Sequence, residues 1–269
     1  MESLRFASSP WGFRFTPIEV HCQWLRDHGM RYICGQFFQE SFKDANGLFP
    51  PDITQPQIDQ ALALVGRYGL KYATFNVTGD FMVRQDLDAE IALCCHQIDL
   101  AAKFKPEFVV VFAGWVDRND DPVYTQVAQA LKTVSRHARQ YGIKIALENH
   151  GGLTTTAAQI DRILGAVDEP NLGVNYDPAN FEMYGVDPFQ ALQQLHSKVV
   201  FTHFKSVKRG ADGKKMYCRL REGYIDYRPI IAELRKRGYE SFWTIEYEEP
   251  KDVFAGSADD LQDLRRLLK

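Results

Sequence analysis

Apolar residues along this chain gather into short continuous runs, separated by longer segments in which they recur every three to four positions. The runs are Leu4 to Ser8, Arg31 to Gly35, Tyr72 to Val77, Phe108 to Phe112, Ile143 to Leu147, Leu172 to Tyr176, Val199 to Thr202 and Phe242 to Ile245. They are rich in β-branched and aromatic residues and bounded by Gly, Pro, Asn or Asp, so they read as strands buried on both faces.

The segments between them read as helices. Pro17, at a first helical position after Thr16 as N-cap, opens a helix with Ile18, Cys22 and Leu25 on one face, stopped by Gly29. Thr54-Gln55-Pro56 opens a second, with Ile58, Leu62, Val65 and Tyr68 in register and Gly69 as its stop. Further helices are expected over Leu87 to Phe104, from Asp121-Pro122 to Tyr141-Gly142, over Thr154 to Val167, over Pro188 to Leu195 and over Tyr227 to Arg237. Ser257 is the expected cap of a last helix through Leu268, while Gln36 to Pro51 and Lys208 to Tyr224 read as loops.

Regular strand–helix alternation argues for a parallel sheet with right-handed crossovers. Eight such units in a chain of 269 residues match the count and size of a closed (β/α)₈ barrel, one domain over residues 1–269. An open doubly wound sheet is the alternative. Against it, no GxGxxG follows the first strand or stands elsewhere.

Composition narrows the function classes. With 45% hydrophobic and 25% charged residues the chain is ordinary globular protein, and a net charge of −3 gives no basic footprint for nucleic acid. No apolar run is long enough to span a bilayer, and Met1 to Phe6 lack the layout of a signal peptide. The cysteines Cys22, Cys34, Cys94, Cys95 and Cys218 show no CxxC spacing, which fits a reducing cytoplasm. The expectation is a cytoplasmic protein with a small-molecule partner, no nucleic acid and no membrane, with room for a homo-oligomer.

In such a barrel the C-terminal ends of all strands open into one mouth. Glu148 ends the fifth strand, Asp177 the sixth, His203 the seventh and Glu246 the eighth. Three carboxylates crowded together repel one another unless a cation joins them. With an imidazole they form a donor set suited to one divalent ion: Mn²⁺, Mg²⁺, Co²⁺ or Zn²⁺. Each residue also has an ordinary structural role open to it, and Glu248 shares a strand face with Glu246, so it competes for that assignment.

The stretches Leu147-Glu148-Asn149-His150-Gly151-Gly152, Gly173-Val174-Asn175-Tyr176-Asp177-Pro178-Ala179-Asn180, His203-Phe204-Lys205 and Thr244-Ile245-Glu246 resemble the xylose isomerase-like TIM barrels. The likeness is nearest to the sugar phosphate isomerase/epimerase branch, which includes the ketose 3-epimerases. It implies that Glu148, Asp177, His203 and Glu246 bind one divalent metal and that Glu148 and Glu246 are the catalytic acid–base pair. Two positions depart from the better understood epimerases. Asn180 stands where a histidine usually follows the metal-binding aspartate. Arg221-Glu222-Gly223-Tyr224-Ile225-Asp226 stands where Gly-Glu-Gly and an acidic residue are frequent.

The implied chemistry is proton transfer beside a carbonyl through a metal-stabilised enediolate. Return of the proton to the opposite face gives epimerisation. Return to the neighbouring carbon gives aldose–ketose isomerisation, and loss of a β-hydroxyl gives dehydration. The ligand set does not choose between them.

Substrate-binding candidates stand at other strand ends. Trp11, Phe38 and Trp115 offer apolar walls. Gln36 and Asn76 offer amides for hydroxyls, and Asn180 a hydrogen-bond donor. Lys205 offers a cation for a substrate oxygen or a carboxylate, and His150 a loop cap or a catalytic imidazole. Arg219 and Arg221 offer a reach towards an anionic group.

The leading reading is a metal-dependent sugar or sugar-phosphate isomerase/epimerase. The alternative is a dehydratase of a cyclic polyol ketone or a dehydroshikimate-like acid. A DNA-repair endonuclease, which needs further histidines that the strand ends near Gln36, Asn76 and Trp115 do not supply, and a non-catalytic sugar-binding barrel complete the set.

Overall fold

The computed structural model describes residues 4–38, 40–83, 85–115 and 119–269, so Met1 to Ser3 of the leader reading lie outside it. In chain order the elements are β1 (Arg5–Ser8), α1 (Ile18–Asp27), β2 (Tyr32–Gln36), α2 (Gln55–Arg67), β3 (Lys71–Asn76), α3 (Leu87–Ala102) and β4 (Phe108–Val111). Then come α4 (Asp121–Arg139), β5 (Lys144–Glu148), α5 (Ala157–Val167), β6 (Leu172–Tyr176), α6 (Pro178–Met183), α7 (Pro188–Leu195) and β7 (Val199–Phe204). The chain ends with β8 (Ser206–Arg209), β9 (Lys215–Cys218), α8 (Tyr227–Lys236), β10 (Phe242–Ile245) and α9 (Val253–Leu267).

Eight of the strands, β1 to β7 and β10, close into a parallel barrel in the order β1-β10-β7-β6-β5-β4-β3-β2. Closure is made by the first and last strands, with Phe6 opposite Trp243 and Ser8 opposite Ile245.

Strand alternation divides the core in two. One set of strand residues, including Ile33, Phe75, Val109, Ile145, Leu147, Val174, Phe204 and Trp243, packs with the helices in the larger cluster. The alternate set, Ala7, Cys34, Ala73, Phe108, Val110, Ala146, Phe201 and Phe242, forms a smaller cluster that fills the barrel interior. Its large residues, Phe108, Phe201 and Phe242, fill the space left by the small Ala7, Cys34, Ala73 and Ala146. Phe108, Phe201 and Phe242 meet with ring centroids 5.5–6.1 Å apart. The Arg5 guanidinium, paired with Glu107, lies 3.7 Å from the Phe242 ring centroid. Arg5 and Lys144 thus cover the apolar interior at the strand starts, and polar side chains appear again where the inward-facing series continues towards the strand ends.

Three local readings need correction, and one short helix is additional. Lys208 to Tyr224 is not a plain loop: β8 and β9 form an antiparallel hairpin with Val207 opposite Tyr217, turned through Gly213 at φ +78°. The alternation around the Gly210–Gly213 turn is the hairpin signal. Pro178–Met183 is a short helix capped by Asp177, because Pro178 is suited to a first turn. Thr16 does not cap α1; Pro17 precedes it without a side-chain cap. Ser257 lies inside α9, which begins at Val253. By contrast Thr54 caps α2 in a reciprocal capping box with Gln57.

The α9 helix carries a buried acid. Asp260 Oδ1 accepts from Leu220 N at 2.7 Å, while Oδ2 has no partner, and burial pushes its pKa up to about 8. Between the ordinary carboxylate range and that value the folded state holds a proton that the unfolded chain releases. Stability therefore falls as pH rises through this window, by up to ~1.4 kcal/mol per pH unit. Asp260→Asn is expected to flatten the slope, so that urea unfolding at pH 5 and pH 8.5 differs less than in the parent. An unchanged difference would assign the slope elsewhere.

Candidate metal centre and the cavity above it

The inward-facing series explains how the acids come together. Two residues beyond Ala146 on β5 is Glu148, and two beyond Phe201 on β7 is His203. Gly173 and Asn175 on β6 are followed by Asp177, and Phe242 and Thr244 on β10 by Glu246. Glu148, Asp177, His203 and Glu246 are 3%, 0%, 1% and 5% exposed, and one donor atom from each lies within 4.8 Å of the others. Among the described residues this is the one cluster of its kind.

Each ligand candidate is held by its surroundings. Asn180 Nδ2 donates to Glu148 Oε1 at 3.0 Å, and Asn175 Nδ2 donates to Glu148 Oε2 at 2.9 Å. Ser9 Oγ donates to Glu246 Oε1 at 2.6 Å, and Lys205 Nζ to Glu246 Oε2 at 2.9 Å. Asp177 Oδ1 caps α6 by accepting from Ala179 N and Asn180 N. Its other oxygen, Oδ2, is 3.1 Å from Lys205 Nζ but makes no hydrogen bond. Asn149 locks the ends of β5 and β6 together, accepting from Asp177 N and donating to Asp177 O, both at 2.8 Å. His203 Nδ1 lies 3.3 Å from Glu246 Oε2 and 3.5 Å from Glu148 Oε2.

These contacts fit a divalent ion. Donors bound to one ion at about 2.1 Å, in tetrahedral or octahedral array, stand about 3.0–3.4 Å apart. The His203–glutamate separations are close to that spacing. Two buried polar atoms of the cluster, Asp177 Oδ2 and His203 Nε2, have no hydrogen-bond partner. Three carboxylates and one imidazole suit a borderline or hard cation.

The protein's own charges respond to the same crowding. Burial opposes a charged His203, yet Glu246 and Glu148 overcome it and hold the imidazole up to about 10. Burial pushes Asp177 up to about 7 against the pull of Lys205. Burial also disfavours the charge on Glu246, but His203 and Lys205 outweigh it and hold that carboxyl well below its usual range. Without a metal, a proton on His203 and the Lys205 ammonium offset part of the acids' charge.

Above the cluster is a cavity of about 420 Å³. Of the expected binding residues, Trp11, Gln36, Asn76, Trp115, His150 and Lys205 line it. His150 stands edge-on to Phe112 and Trp115, its backbone N bonded to Thr154. The turn beyond it needs glycine: Gly151 has φ +86°, and a Cβ there would lie 2.2 Å from Tyr184 Oη. Asn180 is buried beside Glu148 and is not on the cavity wall.

Arg219 is not brought to the site. Its guanidinium binds Asp259 at 2.7 Å, with Asp252 and Glu222 also in contact, and Arg221 binds Asp263 at 2.7 Å. The acids of α9 claim both arginines. Phe38 is likewise absent from the wall, where Phe37 and Phe42 stand instead.

Sequence reasoning missed Ser9, Asn175 and Tyr217. Asn175 had a signal: a polar residue in the inward series two before Asp177. Tyr217 reaches the cavity from the hairpin, and its signal was the unread strand alternation. Glu248, weighed only as a rival to Glu246, joins it on the wall and binds Lys205 at 2.5 Å.

A closed parallel barrel with an acid–imidazole cluster at its mouth defines a class, and the comparisons agree. A family model described as xylose isomerase-like TIM barrel matches residues 22–269, and the chain belongs to that family. An inosose dehydratase of Lacticaseibacillus casei is 23% identical over 144 residues, 48% of each chain. A 3-dehydroshikimate dehydratase of Bacillus anthracis is 27% identical over 173 residues, 58% of this chain and 62% of that one. The chain thus spans about half the length of the curated relatives it matches. A solved L-ribulose 3-epimerase shares the fold with a TM-score of 0.79 at 17% identity, over 99% of this chain and 95% of that one. Among the described residues no helix is long and apolar enough to cross a membrane.

Proposed function

We propose that this chain is a divalent-metal-dependent isomerase/epimerase that moves a proton at the carbon beside the carbonyl of a polyhydroxylated, sugar-like substrate. One observation carries the reading. Of the four ligand candidates, Glu148 and Glu246 also line the cavity, whereas Asp177 and His203 do not. The aspartate and histidine would serve only to hold an ion. The glutamates belong to the same cluster and also face the space open to a substrate.

Glu148, Asp177, His203 and Glu246 would hold the metal, which supplies Lewis-acid polarisation of a carbonyl oxygen. The glutamates do the proton work. Each has both carboxylate oxygens held by protein donors, Asn180 and Asn175 for Glu148, Ser9 and Lys205 for Glu246, so neither rotates freely. One removes the α-proton and the other returns a proton from its own side. The aromatic walls lie against C–H faces, while Gln36 and Asn76 orient hydroxyls.

A second reading, dehydration, is supported by the two curated relatives and by Lys205 on the cavity wall. There Lys205 donates a proton to a departing β-hydroxyl after a glutamate has taken the α-proton. One experiment separates the two. The protein is incubated in D₂O with Mn²⁺ or Mg²⁺ and a panel of ketoses and cyclic polyol ketones, followed by NMR. The expected result is deuterium at the α-carbon with the substrate's oxygen count retained. Loss of water selects the lyase reading, and absence of both exchange and water loss across the panel overturns proton transfer.

A further inference from the structure

We infer that the cavity selects an uncharged polyhydroxylated substrate, and that Glu248 sets this selectivity by claiming Lys205. The inference rests on the proton-transfer reading for the kind of molecule bound, and adds its charge.

Among the described residues lining the cavity, Lys205 is the one lysine or arginine. An ammonium has three protons to donate. Lys205 Nζ faces three carboxylates, Glu248 at 2.5 Å, Glu246 at 2.9 Å and Asp177 at 3.1 Å. The Tyr217 ring centroid lies 5.0 Å away on a further side. Its backbone is tied as well, since Tyr227 Oη donates to Lys205 O. Glu248 and Glu246 accept two of its hydrogen bonds and Asp177 Oδ2 stands 3.1 Å away, so a phosphate or carboxylate must displace one of these acids to reach it.

Among the described residues no arginine lines the cavity. The Arg14 guanidinium lies 4.6 Å from the Trp11 ring centroid and donates to Trp11 O at 2.6 Å, with its Nε unpartnered. Arg219 and Arg221 are held by α9. The lining points the same way. Three carboxylates, Glu148, Glu246 and Glu248, face the cavity against that one lysine, so an anionic substrate meets an acidic wall.

Glu248 is the member of the three outside the metal cluster. It faces the cavity and holds Lys205 without being needed for the ion. The rest of the wall suits a neutral polyol. The rings of Trp11, Phe42 and Trp115 accept C–H faces, and Asn76 carries a buried carbonyl oxygen with no partner.

The test uses the full chain loaded with Mn²⁺ and calorimetric titration. The probes are free ketoses, cyclic polyol ketones, the phosphate esters of the same ketoses, 3-dehydroshikimate and inorganic phosphate. Binding of a neutral probe at least tenfold tighter than its phosphate ester is expected. In Glu248→Gln, and in Glu248→Ala as a second variant, that ratio is expected to narrow at least tenfold through tighter phosphate binding. Thermal unfolding and Mn²⁺ titration of each variant report its folding. A parent that prefers phosphate esters or 3-dehydroshikimate overturns the inference, as does a folded variant whose ratio is unmoved. Deuterium exchange on the same probes keeps the two readings apart. Neutral preference without exchange removes the proton-transfer reading and leaves the selectivity. Exchange confined to phosphate esters does the reverse.

Discussion

Glu148→Gln is expected to lower kcat by about 10²–10⁴-fold at saturating metal while leaving the protein folded. The argument starts from its contacts. Glu148 Oε1 accepts from Asn180 and Oε2 from Asn175. A glutamine keeps one carbonyl oxygen for Asn180 and turns its amide towards Asn175. The Asn175 carbonyl oxygen has no partner, so rotation of that amide satisfies both groups. The packing therefore survives, and the basic oxygen is lost. Glutamine is also a weaker metal ligand than carboxylate, so the measurement is made across a metal titration, with calorimetry reporting ion binding. Single-turnover proton exchange within threefold of the parent, at full metal occupancy, would remove Glu148 from the acid–base pair.

The second large effect concerns stability. Lys205→Met is expected to destabilise the metal-free protein by about 3–5 kcal/mol, the usual cost of removing one partner of a buried ion pair. Methionine keeps much of the apolar stem, so the loss reports charge more than volume. Asp177, Glu246 and Glu248 are left facing one another, and the Lys205 side chain that joined them is only 2% exposed. A divalent ion opposes the same repulsion. An ion at about 100 times its Kd adds roughly 2.7 kcal/mol to a folded state that alone binds it. The variant, freed of a competing cation, is expected to gain more from the ion than the parent does. Urea unfolding in chelator and in excess Mn²⁺ checks this at pH 8. Equal destabilisation under both conditions would mean that Lys205 and the ion do not share the carboxylates.

The parts legible in the sequence share a physical cause. Strands buried on both faces must be continuously apolar, so the eight runs stand out, and their ends are conspicuous where an acid or imidazole interrupts them. Glu148, Asp177, His203 and Glu246 are visible for that reason. Glu246 and Glu248 also show the limit of the method. Their spacing places both on one face, but only the fold shows that the first joins the metal cluster and the second holds Lys205. Arg219 shows another limit. A cation in a polar loop looks available until Asp252, just before α9, and Asp259 within it, more than thirty residues later, meet it. Asn180 was visible as a donor, yet its contact is Glu148 and not the cavity, because the helix capped by Asp177 turns it inward.

The cavity wall also splits along the chain. Among the described residues, its contributors from the first four strands and their loops, Trp11 through Trp115, include no ionisable side chain. Its carboxylates, its lysine and its histidine all come from β5 onward, as do the four ligand candidates. Ser9, which donates to Glu246 across the closing seam, is the one stitch between the halves noted at the cluster itself. The amides and most of the aromatic walls that meet a neutral polyol thus lie in one contiguous block of sequence, and the ionisable groups that set its charge and move its proton in the other. A chimaera that exchanges the first half-barrel for that of a relative, with a serine retained at position 9, would change the fit to rings and hydroxyls while keeping the charge selectivity and the proton-transfer apparatus. Drift in the same block offers natural variants a route to new substrates without rebuilding the chemistry.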